Sequence, residues 1–290
     1  MVRRGAERLA ERLGYTLIAR GPSSPLPDAP PGDPLWSRRS PLADSAFDLD
    51  AQLTMIRKLS PFIEEFARDV RGHGFELWNR LYQAGDSEVL YALVRHLKPR
   101  RLLEIGSGNS TRVSAAACAA NEREGTTTQL VAVDPQPRVE IGDQVDGLAR
   151  FERIDCRLLP LERFDELEAG DILFIDTTHV VKLGGDVNWL VLDVLPRLAR
   201  GVWVHFHDIF LPDEYPWYMF FRQIPAEQYL LEAFLIGNDW TIELALAALF
   251  RDRNDALLHA IPSLREEVPG LPDLKTWSPS SFWMRRRPIA

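Results

Sequence analysis

The stretch that most constrains this chain is residues 101–111, Arg-Leu-Leu-Glu-Ile-Gly-Ser-Gly-Asn-Ser-Thr. An apolar strand of Leu102, Leu103 and Ile105 runs into Gly106-x-Gly108 and then into a helix opening on Asn109, Ser110 and Thr111. Glycines at such a turn let a ligand approach the backbone closely, and the helix start supplies N–H groups with no intrahelical partner. A dinucleotide fingerprint wants a third glycine where Thr111 stands, and it lacks the carboxylate found here at Glu104. A nicotinamide-dependent dehydrogenase is accordingly the least favoured use of the turn.

After this turn strands and helices alternate, which predicts a parallel sheet covered on both faces. Strands are expected at 130–133, 151–154, 172–175 and 202–206, then near 241–246 and 281–286. Helices are expected at 110–121 and 187–199, near 225–236 and near 253–261, with Gly201 closing the second and Asp186 capping its start. Upstream, Leu53, Ile56, Leu59, Phe62, Ile63 and Phe66 recur at helical spacing until Gly72 and Gly74 break the pattern. Asp86 or Ser87 then caps a helix that Pro99 stops. Residues 21–41 hold seven prolines, which deny them regular structure. Residues 1–46 thus read as an irregular arm, begun by a short amphipathic helix and extended across the main domain or a partner. Residues 47–98 read as a helical cap region and 99–290 as the catalytic domain.

Composition sets the outer bounds. The 290 residues are 46% hydrophobic and 26% charged, ordinary for a globular protein with a substantial core. A formal net charge of −8 favours neither nucleic acid nor an anionic membrane surface as partner. Arg285, Arg286 and Arg287 read as a solvated strand end. Cys118 and Cys156 suit neither a disulfide scaffold nor a zinc site. No apolar run approaches the roughly 18–20 residues of a membrane helix, and no signal-peptide core is visible, so a cytoplasmic protein is expected.

All five central strands close on acidic residues or an acid with histidine: Glu104, Asp134, Asp155, Asp176 and His207-Asp208. In open α/β sheets ligands bind beyond these carboxyl ends. Glu-x-Gly-x-Gly at 104–108, with Ile-Asp-x-x-His ending at His179 and His-Asp-Ile at 207–209, resembles a bacterial group of class I S-adenosylmethionine-dependent methyltransferases over about residues 75–287. The resemblance implies a Rossmann-like seven-stranded methyltransferase sheet with helices on both faces and two antiparallel final strands, plus an N-terminal helical or irregular extension. It implies that Glu104, Gly106, Ser107 and Gly108 line the methionine part of S-adenosyl-L-methionine. Asp134 would take the ribose hydroxyls, and Asp155 and Cys156 would meet the adenine. Relatives place Mg²⁺ on acids at the ends of the fourth and fifth strands, which maps onto Asp176, His207 and Asp208. A histidine in that set suits a softer divalent metal or no metal.

His179 and His207 are candidate bases beside Asp176, whereas alternation puts His205 on the side of Trp203 as a structural residue. Phe210, Tyr215, Trp217, Tyr218, Phe220 and Phe221 could form a lid, a subunit interface or core. The function expected is methylation of a small-molecule or sugar hydroxyl, metal-assisted or not, in a chain that could form a homo-oligomer. The alternatives are a metal-dependent hydroxylase-like enzyme on the same fold, or a non-catalytic S-adenosylmethionine-binding protein.

Overall fold

The computed structural model describes residues 10, 12–15, 18, 24, 32–141, 145–221, 224–237, 239–266 and 278–287. Its centre is β1 (Arg101–Ile105), paired in parallel with β2 (Gln129–Val133) on one side and β4 (Ile172–Ile175) on the other. β3 (Arg150–Glu152) extends the sheet beyond β2, and β5 (Trp203–Phe206) extends it beyond β4. β6 (Trp240–Ala245) and β7 (Phe282–Arg286) complete seven strands in the order β3-β2-β1-β4-β5-β7-β6. The order reverses between β1 and β4, the switch point at which such sheets leave a crevice. The expected antiparallel pair forms this end of the sheet: β7 inserts between β5 and β6 and runs antiparallel to both, which leaves β6 as the edge strand. Phe282, Trp283 and Met284 are fully buried, which requires cover that an edge strand lacks.

Side-chain alternation along the strands divides the core in two. Leu102, Leu130, Ile172, Phe174 and Trp203 face the cluster shared with α1 (Leu49–Asp69), α2 (Asp86–Leu97) and α3 (Asn109–Arg123). Leu103, Val131, Leu173, Ile175 and Val204 face the other, shared with α4 (Asp186–Trp189) and α5 (Glu227–Leu235). Ala115, Ala116 and Ala117 of α3 are fully buried, their small side chains allowing close packing on the sheet. α4 continues through a π-helical turn at Leu190–Val194 and a 3₁₀ turn at Leu195–Arg197. Gly201 does not cap this helix: the cap is Leu198, and Gly201 turns the chain at φ +85° into β5.

Other boundaries moved for identifiable reasons. β3 is shorter than expected and ends at Glu152. The helix expected near 253–261 is present as Asn254–Ala260 (α7), and a further helix, α6 (Leu246–Asp252), precedes it and is separated from it at Arg253 with φ −135°. The cap of α2 is Gly85, whose N–H donates to Glu88 Oε2 at 2.7 Å, because the Asp86 carboxylate is engaged elsewhere. Asp186 likewise does not cap α4; Gly185 does, and Asp186 accepts from Thr178. The terminal arginines are not simply solvated. Arg285 pairs with Glu243 at 2.7 Å and lies over the Trp203 ring, and Arg286 donates to the carbonyls of Pro196 and Leu198.

The helix expected in residues 1–20 and most of the proline run fall outside the described residues. From residue 32 onward the extension lies on the main domain. Ser40 N–H donates to Pro212 O, Arg38 pairs with Glu232 at 2.8 Å, and Arg39 pairs with Asp252 at 2.9 Å.

Gly147 shows how tightly the segment before β3 is held. Its φ is +85°, and a Cβ there would lie 2.0 Å from the carbonyl oxygen of Ala115 on α3. Gly147→Ala is expected to cost at least ~2 kcal/mol, by steric displacement added to left-handed strain. Gly125→Ala, with φ +84° and nothing within 4 Å, should cost only the strain, about 1 kcal/mol. Urea denaturation of both variants checks this, and equal losses would contradict it.

Candidate active site

The glycine turn is built by contact between strand ends. Gly106 sits at φ +85°, and a Cβ on it would lie 1.7 Å from the carbonyl oxygen of Asp176. Only glycine lets the β1 turn lie against the end of β4 in this way. Gly108 is different: its φ of 165° is ordinary extended backbone, and its nearest neighbour to a built Cβ is Val139 Cγ2 at 3.9 Å. Nothing in the protein's own packing requires glycine at 108. Glu104 is fully buried beneath the turn. Its Oε1 accepts from Ser110 Oγ at 2.6 Å and Thr111 Oγ1 at 3.0 Å, while its Oε2 has no partner. Burial pushes the Glu104 carboxyl up to about 8 against the two hydroxyl hydrogen bonds. Ser107, through its N–H at 2.9 Å and its hydroxyl at 3.0 Å, donates to Asp134 Oδ2, which fixes the acid that ends β2 beside the turn.

The acids and histidines that end β4 and β5 converge. His179 lies in the loop after β4 at φ +58°, and Asp208 follows β5 at φ +55°. Such strained conformations gather at functional sites. His179 is buried, with Nδ1 2.8 Å from Glu227 Oε2. Its Nε2 faces two carboxylates, 3.3 Å from Asp176 Oδ1 and 3.7 Å from Asp208 Oδ2. His207 Nδ1 lies 3.6 Å from Asp176 Oδ2 and 3.8 Å from Asp208 Oδ1, and its Nε2 lies 3.5 Å from Asp86 Oδ2. Burial opposes charge on both rings, but the surrounding carboxylates prevail. They raise His207 to about 9 and His179 well above the usual histidine range. In return, despite burial, His207 and His179 hold Asp176 well below the usual carboxylate range. Asp208 accepts from Ser280 Oγ at 3.0 Å.

Two members of this cluster were not read from the sequence as functional. Asp86 is fully buried and accepts from the N–H groups of Ser280 at 3.0 Å and Ser281 at 2.7 Å. Glu227 is buried at the first turn of α5, with Oε1 unpartnered. In sequence each is simply an acid at a helix start, the commonest dipole complement. His205 is structural as expected, stacked on Phe174 at 4.0 Å and 3.0 Å from Ser281 Oγ.

Residues 103–209 match the family model described as a methyltransferase domain. Comparison with curated proteins gives no match. Among solved structures, a CmcI apo-structure is 17% identical over 54% of this chain and 62% of that one, with a TM-score of 0.36. A CmcI structure with Mg and SAM is 18% identical over the same shares, with a TM-score of 0.34. A candidate methyltransferase from Thermobifida fusca YX is 15% identical over 90% of this chain and 100% of that one, with a TM-score of 0.36. The chain thus spans 62% of the length of the first two.

The glycine turn joins Glu104, Gly106, Ser107 and Gly108 to Asp134 on one side and to Asp176 on the other. Asp155 is paired with Arg157, which also donates to Gly184 O and so ties the loop after β3 to the loop before α4. Cys156 is buried in the core, and burial pushes its thiol up to about 12. The trio named as metal ligands, Asp176, His207 and Asp208, does lie together. Yet among the described residues no group of three or more His, Cys, Asp or Glu is arranged to hold a metal ion. The donor set gives the reason. His179 Nε2 already faces both carboxylates, at the distances above, where a shared cation would have to reach them.

Glu104 offers a direct check on these electrostatics. Its folded-state carboxyl, at about 8, lies above its ordinary value of 4.5. The stability it contributes is full below that ordinary value and is lost as pH rises from there through about 8. Glu104→Gln removes this dependence. The variant is expected to gain a few kcal/mol on the wild type between pH 5 and pH 8, both free of ligand, by thermal or urea denaturation at each pH. Parallel stability curves for the two proteins would refute a buried, uncompensated carboxylate.

Proposed function

We propose that this protein is a methyltransferase and moves a methyl group from S-adenosylmethionine to a hydroxyl oxygen of a small molecule. The observation that carries the reading is the contact between Gly106 and the Asp176 carbonyl, which sets the donor turn directly against the Asp176–His179–His207–Asp208 cluster. The residues present fit the donor. Glu104 offers a buried carboxylate oxygen without a partner, suited to a cationic group. Gly108 leaves room for close approach, and Asp134 stands beside the turn as a hydrogen-bond acceptor for ribose hydroxyls. S-Adenosylmethionine, when bound, supplies an electrophilic methyl group, so the protein has mainly to align the oxygen and take its proton.

The cluster supports a division of labour. His179 and His207 hold their protons among the carboxylates and so offset the charge of Asp176 and Asp208. Asp208 keeps about a quarter of its side-chain exposure, 25%, and has one oxygen bound by Ser280. It is the group placed to accept the proton of an incoming hydroxyl. Glu227 holds the His179 ring by Nδ1, and Asp86 stands behind His207. These two act as positioning residues.

Asp208→Asn keeps an acceptor for the Ser280 hydroxyl but removes the base. Transfer of tritiated methyl to a panel of hydroxylated small molecules should fall by about 10²–10⁴-fold, with S-adenosylhomocysteine affinity by calorimetry essentially retained. Unchanged turnover would refute the role. On this reading no metal takes part, so turnover is also expected to survive dialysis against EDTA. Loss of activity restored by Mg²⁺ or Mn²⁺ would overturn that reading.

A further inference from the structure

The aromatic run after β5 does not form a uniform core. Tyr215 is buried and Phe210 nearly so, whereas Trp217 and Tyr218 are 45% and 37% exposed. Together with Trp36 from the N-terminal extension and Phe250 from α6, these side chains line a cavity of about 830 Å³. That lies within the range of small-molecule sites, roughly 300–1,000 Å³. The chain links the cavity wall to the cluster. Phe210 is two residues beyond Asp208, and Ser278 on its wall is two residues before Ser280. The Tyr218 hydroxyl feels the charge of Asp208 and of Asp86.

Most polar groups of the lining are engaged with the protein. Arg38 binds Glu232 through both carboxylate oxygens, Arg251 contacts Asp213, and Glu214 takes the Tyr215 N–H and the Tyr229 hydroxyl. Asn254 donates to Phe250 O, and the Tyr215 hydroxyl accepts from Gln228 N–H. The charged residues in the lining, Arg38, Arg251, Asp213 and Glu214, carry no net charge. A carbohydrate needs many directed hydrogen bonds, and a charged ligand needs an unbalanced partner. The walls offer instead flat aromatic faces.

We infer that this cavity is the acceptor site and that the acceptor is an uncharged aromatic molecule, whose hydroxyl it presents toward Asp208. The inference rests on the methyl-transfer reading and narrows its acceptor from any small hydroxylated molecule to an arene. Stacking against Trp217 and Tyr218 would orient the ring, and the extension carrying Trp36 would form part of the wall.

The test titrates 2-naphthol and methyl α-glucopyranoside into the full chain, with and without S-adenosylhomocysteine, by calorimetry and tryptophan fluorescence. 2-Naphthol is expected to bind with Kd below about 1 mM, and the glucoside is expected to give no measurable heat. Trp217→Ala, at a partly exposed position, should weaken 2-naphthol about tenfold. Its S-adenosylhomocysteine affinity should be unchanged, which also shows that the variant folds. Tighter binding of the glucoside, no binding of 2-naphthol, or equal naphthol affinity in the variant would overturn the inference. Failure of S-adenosylhomocysteine to bind the wild type would sink the donor reading instead, and the naphthol titrations would still judge the cavity.

Discussion

The contact on which the site depends is between a glycine and a carbonyl: Gly106 lies so close to Asp176 O that no side chain fits between them. It belongs to a wider pattern at the sheet edge. Gly106 N–H donates to Val133 O, Asp176 N–H to Ile105 O, His207 N–H to Ile175 O and Asp134 N–H to Glu152 O, at 2.9–3.1 Å. Each strand ladder therefore runs one residue past the last residue of its strand. The residues caught by that extra bond are the turn glycine, two acids and a histidine. Their backbones are as fixed as the sheet itself, so the side chains differ from ordinary loop residues in having little freedom of placement.

Charge separates this edge into two parts. Around β4 and β5, carboxylates and imidazoles alternate at 2.8–3.8 Å, and each histidine proton offsets acids on both sides. There the two imidazoles are shared among the carboxyl groups of Asp176, Asp208, Glu227 and Asp86. Beneath the glycine turn, Glu104 has hydroxyl partners but no cation, and one oxygen has none. An uncompensated buried carboxylate is costly in isolation. Its cost falls when a positive group arrives, which is the behaviour expected of a residue reserved for a cationic ligand rather than for folding.

Much of this was legible in the sequence because the relevant signals are local. Gly106-x-Gly108 after an apolar strand, and an acid or histidine at the end of each strand, are patterns that a few residues carry by themselves. The strands and the helices beside them followed from alternation and from helical spacing. What could not be read was mostly long-range. Asp86 looks like a cap until Ser280 and Ser281, nearly two hundred residues later, present their N–H groups to it. Glu227 looks like a helix-start acid until the loop after β4 folds back and places His179 against it. The displaced cap at Gly85 has the same origin, since the Asp86 carboxylate is taken by those distant N–H groups.

The reversal of β7 explains how such distant residues reach the chemistry. Phe282 pairs with Phe206, so the beginning of β7 lies at the end of β5 where His207 and Asp208 stand. Were β7 parallel to its neighbours, its first residues would lie at the opposite edge, far from the site. Running antiparallel, it delivers Ser280 to Asp208, the Ser280 and Ser281 N–H groups to Asp86, and Ser278 to the wall of the aromatic cavity. Asp86 in turn stands behind His207 and, as the first residue of α2, ties that helix to the same point. The antiparallel strand is thus more than a topological signature. It is the element that joins the helical layer, the carboxylate–imidazole cluster and the aromatic cavity into one rigid arrangement.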